Sequence, residues 1–181
     1  MLEIHIPKTE LFDEEKNQFV EIHPTVLRLE HSLVSISKWE SKWKIPFLVN
    51  QPEKTREQSL DYIRFMTINQ NVPENVYLAL TPQHLKEINE YMSESRTATT
   101  FSKPSGPPNR QVLTSELIYF FIAQYNLPIE AQKWHISRLL TLIRIASIKN
   151  SAETRKMSRS EILSRNAQLN AARRSKFNTK G

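Results

Sequence analysis

Three short stretches near the amino terminus alternate apolar and polar residues: LEIHI at Leu2–Ile6, QFVEI at Gln18–Ile22 and TVLRLE at Thr25–Glu30. A period of two sends successive side chains to opposite faces, so the spacing predicts strands with one buried face, joined as a small β-hairpin or a three-stranded antiparallel sheet. After Glu30 the period lengthens. Leu33, Ile36, Trp39 or Glu40, and Trp43 recur at intervals of three and four, with Ser32 placed to cap, which predicts a helix over Ser32–Lys44 that Pro46 ends. Thr55 and Gln58 stand at the capping-box spacing ahead of Leu60, Ile63 and Met66, and Thr81 precedes a proline at the first helical position, so two more helices follow.

The stretch SKPSGPPNR, residues 102–110, holds three prolines and one of the two glycines of the chain, and reads as a mobile linker. Beyond it, TSELIYFFIAQYNL predicts a helix from Thr114, a turn at Pro128, and a last long helix over Glu130–Asn150. The chain therefore reads as mainly α with a small N-terminal antiparallel β element. Its segments are residues 1–101 (hairpin plus helices), the linker at 102–110, a C-terminal helical hairpin at 111–150, and a loosely ordered basic tail at 151–181.

Composition changes this picture in two ways. Net charge is +6 over 181 residues, and it is unevenly placed: residues 1–150 hold 17 basic and 17 acidic residues, while 151–181 hold eight basic and two acidic. The excess lies in the tail, on Arg159, Arg165, Arg173, Arg174 and Lys176 among others, and such a cluster can neutralise phosphates or an acidic protein. With Phe177 as its lone aromatic, stacking on single-stranded bases is not supported. The chain also lacks cysteine, which removes disulfides, thiolate metal sites and cysteine nucleophiles. Two glycines are too few for a phosphate-cradling loop, the five histidines show no metal-ligand spacing, and no GxSxG occurs. A binding protein without cofactor or metal is expected, not an enzyme. The longest apolar run, LIYFFIA, has seven residues against the roughly 20 of a membrane span. The acidic start, MLEIHIPKTELFDEE, lacks the pattern of a secretion signal.

Two aromatic and basic groupings are candidate partner surfaces. At 100° per residue, the last long helix puts Ile136, Leu139, Leu140, Ile143 and Ala146 on one arc; Lys133, Arg138, Arg144 and Lys149 share the other with Trp134, Ile145 and Ile148. The first arc is core. The second either pairs its cations with acids of neighbouring helices or faces a partner, for which Trp and Arg are favoured. Trp39 and Trp43, beside Lys38, Lys42 and Lys44, pose the same choice between core packing and a binding face.

The stretches EHSLVSISKWESKWKIPFL, DYIRFMTI, RTATTF, QKWHISRLLTLIRIASIKN and KMSRSEILSRNAQLNAARRSKFNTKG together resemble small proteins of tailed bacteriophages with long non-contractile tails, those assigned as tail assembly chaperones. The likeness runs through nearly the whole chain, and none of these stretches is a catalytic motif. It implies a non-enzymatic helper in the host cytoplasm that coats the tape measure protein during tail morphogenesis, as a homo-oligomer or in many copies, with the major tail protein as a second partner. The alternatives are a structural protein retained in the virion, and a nucleic-acid binder acting through the basic tail.

Overall fold

A computed structural model of the chain describes residues 1–13, 17–49, 53–101, 112–154 and 159–177. Four strands come first: β1 (Leu2–Ile6), β2 (Thr9–Asp13), β3 (Gln18–Ile22) and β4 (Thr25–Leu29). They form two antiparallel pairs, β1 with β4 and, nested between them in sequence, β2 with β3. The expected alternation holds in the outer pair, whose Ile4, Ile6, Leu27 and Leu29 are buried while Glu3 and Arg28 face water. Strand β2 is an addition to the sequence reading. Its TELFD places Leu11 and Phe12 side by side and so breaks the period, and pairing with β3 is what makes it a strand.

The helices are α1 (Leu33–Trp43), α2 (Arg56–Met66), α3 (Pro82–Ser93), α4 (Ser115–Gln124), α5 (Ile136–Thr154) and α6 (Arg159–Phe177). The first four begin where local chemistry says they should. Ser32, Thr55, Thr81 and Thr114 each accept the backbone N–H three residues on, which satisfies a donor the helix itself leaves open. Turns that need a left-handed backbone fall on Asn17, Asn71, Asn126 and Lys44, at φ between 48° and 58°. Asparagine tolerates that conformation better than most residues, which suits a chain so poor in glycine.

The last long helix does not start at Glu130. Residues Ile129–Lys133 form a short 3₁₀ turn, Trp134 is extended, and α5 begins at Ile136. Tertiary hydrogen bonds override the local pattern here: His135 forms a bridge to Ser32, and Ile136 N–H donates to the His31 carbonyl at 2.7 Å. The helix then continues past Asn150 to Thr154.

Leu27, Leu29, Leu33, Ile36, Ile118 and Leu139 lie fully buried at the heart of one apolar cluster. It draws on residues both before and after 102–111, so the expected division into a 1–101 part and a separate 111–150 hairpin is replaced by one compact unit, Met1–Arg144. The Pro-rich linker at 102–110 lies outside the described residues. A second unit, Ile145–Gly181, takes the end of α5 and all of α6, so the boundary falls at Arg144 and not at Asn150. Within it, the tail expected to be loosely ordered carries a helix of 19 residues, in keeping with the good helix formers Ala167, Leu169, Ala171, Ala172 and Arg173.

All buried apolar residues among those described lie at or before Ile143. A chain ending at Thr154 should therefore still melt cooperatively, within about 1 kcal/mol of the full chain by chemical denaturation. Loss of the cooperative transition would mean that α6 belongs to the folding unit.

Candidate functional site

The two tryptophans of α1 separate. Trp39 is 1% exposed, its Nε1 donates to the Gln58 carbonyl at 2.8 Å, and its ring meets Phe47 edge-on at 5.1 Å. It is a core residue, so of the two alternatives left open for it, core packing and a partner-binding face, it takes the first and is not a partner-binding residue. Trp43, one turn on, is half-buried against the same core, 6.4 Å from Trp39 between ring centroids. Its neighbour Lys42 is engaged by buried Asp61, which Arg64 also holds at 3.0 Å, so that cation is neutralised within the chain. The α1 grouping is thus mainly structural.

The second grouping differs. Trp134 does not lie on α5 but two residues before its start, in extended backbone, half-buried against the core. Arg138, exposed on the first turn of α5, sets its guanidinium 5.1 Å from the Trp134 ring centroid and makes no ion pair among the described residues. Arg144, also exposed, stacks on Phe101 at 4.0 Å. Neither arginine is tied to a carboxylate of the described core. Both instead rest on aromatic faces with their charge toward solvent, an arrangement that keeps the donors available. Below them, Ile136, Leu139 and Ile143 are buried and Leu140 is half-buried, as the helical arc predicts. Ile145 is half-buried and opens the second unit; Ile148 is exposed.

Around Trp134 and Arg138 lies an open cleft of about 510 Å³ that also involves the amino terminus, Glu30, Glu94, Arg96 and Lys133. Its charges are partly matched: the terminal ammonium meets Glu30 at 2.8 Å and Arg96 meets Glu94 at 2.6 Å. Lys133 and Arg138 remain as its outward cations, and both are exposed. In the basic tail, α6 carries all five named residues. Arg165 and Arg173 are exposed; for Arg159, Arg174 and Lys176 the helical backbone is described.

Sequence reading missed a buried polar cluster beneath this cleft. His31 and His135 meet edge-on at 5.2 Å; His31 Nδ1 is 2.5 Å from the Tyr62 hydroxyl, and His135 Nε2 is 3.2 Å from the Tyr91 carbonyl. The Tyr91 hydroxyl donates to Glu30 at 2.6 Å. Burial, helped by the neighbouring His135, pushes the His31 pKa down to about 3, and burial lowers that of His135 as well. Burial also raises both tyrosine hydroxyls, so at neutral pH the four rings are uncharged. No spacing rule finds such a cluster, because it is assembled from four separate segments. Among the described residues no group of three His, Asp or Glu side chains is placed to hold a metal ion, and no helix is long and apolar enough to cross a membrane.

A second hollow, of about 860 Å³, runs beside α2 and α3 and is lined by Phe47, Lys54, Ile63, Leu85, Ile88 and Met92 among others. Lys54 Nζ lies 4.4 Å from the Phe47 ring centroid and its pKa is lowered by burial. No protein family, curated protein or solved structure matches this chain.

Proposed function

We propose that the chain is a non-enzymatic tail assembly chaperone of a long-tailed bacteriophage, acting in the host cytoplasm, where it covers the tape measure protein until tail-tube subunits polymerise around it. The reading rests on the resemblance in sequence. The observation that best supports it is the outward pair of Trp134 and Arg138, an aromatic ring anchored in the core beneath an arginine without an ion pair among the described residues. A long helical client offers apolar stripes flanked by carboxylates. Covering such a stripe yields about 25 cal/mol per Å² of apolar area, and an exposed arginine supplies charge-assisted hydrogen bonds at its edge. Many copies along one client multiply weak contacts.

The test is co-expression with the tape measure protein followed by affinity capture. Arg138→Glu is expected to leave unfolding free energy within about 1 kcal/mol of the parent, as exposed substitutions usually do, and to reduce capture strongly. Unfolding of this variant would place Arg138 in a structural role. Full capture by it would remove the surface from the reading, and recovery of the protein in purified virions would favour a retained structural component.

A further inference from the structure

The hollow beside α2 and α3 carries a cation that the described chain leaves without an acid. Lys54 is half-buried, and its ammonium lies 4.4 Å from the Phe47 ring centroid and 5.7 Å from that of Trp39. It makes no ion pair among the described residues, although exposed Glu53 directly precedes it. Aromatic faces replace part of the hydration that a half-buried ammonium gives up, yet burial still lowers its pKa. A carboxylate beside it would gain from the reduced dielectric of the hollow and would complete what the rings only begin.

The rest of the wall selects the kind of anion. Leu48, Ile63, Leu85, Ile88 and Met92 give it an aliphatic lining, and its volume of about 860 Å³ lies in the range of sites that take small molecules. Phe47 brings the one benzene ring among the described lining residues, and that ring is already engaged: it stacks on Tyr62 at 3.9 Å and meets Trp39 edge-on at 5.1 Å, besides Lys54. An aliphatic body therefore fits better than an aromatic one. The charges of the described wall are Lys54, Arg56 and Glu53, with His31 neutral, a net of +1 that a single negative charge balances. A phosphate dianion would bring charge in excess beside Glu53.

We propose that this hollow is a binding site for a free medium-chain fatty acid, whose carboxylate meets Lys54 and whose chain lies against Ile63, Leu85, Ile88 and Met92. The hollow shares no lining residue with the cleft around Trp134 and Arg138. The inference thus goes beyond the client-binding reading and needs no client, so its failure would leave that reading standing.

The experiment is isothermal titration calorimetry of the full chain with decanoate, kept below its micelle-forming concentration. Saturable one-to-one binding is expected. Octanoate and hexanoate in its place should bind progressively more weakly, by about fourfold for each methylene removed, the yield of one buried CH₂ group. Decanol on the parent chain, and decanoate on Lys54→Met, should each bind at least about tenfold more weakly, the usual worth of a charge-assisted hydrogen bond. Methionine keeps the apolar stem, and circular dichroism checks that the variant keeps the fold; the decanol comparison needs no variant and decides the matter if it does not. A short peptide ending in leucine with a free carboxylate separates the two sources of such a group: tighter binding of the peptide than of decanoate would give the site to a chain terminus and overturn the proposal. It is equally overturned by the absence of saturable decanoate binding, by equal affinity for decanol, by affinity independent of chain length, or by an unchanged affinity in folded Lys54→Met.

Discussion

Replacing Glu40 by alanine should cost about 3–5 kcal/mol of unfolding free energy, although Glu40 is neither apolar nor in any candidate binding surface. Its carboxylate is 7% exposed and takes two backbone donors from distant parts of the chain: Phe47 N–H at 2.7 Å on Oε1 and Ser115 N–H at 2.8 Å on Oε2. Ser115 is the first residue of α4, so the negative charge also sits at the positive end of that helix dipole. One side chain therefore joins the end of α1, the chain that leaves it, and the start of α4. Alanine would leave two buried N–H groups without partners and a hole between α1 and α4. Glu40→Gln keeps a single acceptor oxygen and points its amide hydrogens at the other donor, so an intermediate loss of about 2 kcal/mol is expected. Urea denaturation measures both. An alanine variant as stable as the parent would show that water reaches these N–H groups and that the carboxylate is dispensable.

Acid should destabilise the protein well before its carboxylates titrate. His31 is neutral and buried, with a pKa held near 3, against about 6.5 in an unfolded chain. Below pH 6.5 the unfolded state therefore binds a proton that the folded state refuses, and stability falls with pH until the folded value near 3 is reached. The slope approaches about 1.4 kcal/mol per pH unit for such a histidine, so His31 alone should remove about 2 kcal/mol between pH 7 and pH 5. His135 acts in the same direction, since burial lowers its pKa too, offset in part by the Tyr91 carbonyl and Glu30. Urea midpoints across pH 5–7 test this, with His31→Gln expected to flatten the dependence. A midpoint constant over that range would mean that the ring can turn to water and take its proton without unfolding.

The cluster also positions the candidate surface. The His31 carbonyl receives the first N–H of α5, and the His135 ring packs beside Ser137, so the residues that start α5 also set where Trp134 and Arg138 emerge.

What the sequence determined by itself is the local part of this protein. Ser32, Thr55, Thr81 and Thr114 cap their helices through bonds that span three residues, and the alternation of β1 and β4 selects their buried faces, so both are legible without knowing the fold. The same holds for the inward arc of α5 from Ile136 to Ile143, whereas the exposure of Arg138 is one of two alternatives that the sequence left open. Tertiary structure alone decided the rest. Trp39 and Trp43 share one helical face and differ only in that Gln58 and Phe47 close over the first. The start of α5 moved from Glu130 to Ile136 because His31 and Ser32 offered the backbone partners that a helix over Trp134 and His135 would have forgone. The buried histidines, Tyr62, Tyr91 and Glu40 acquire their roles from residues tens of positions away, and no periodicity records a contact whose two halves are assembled only when the chain has folded.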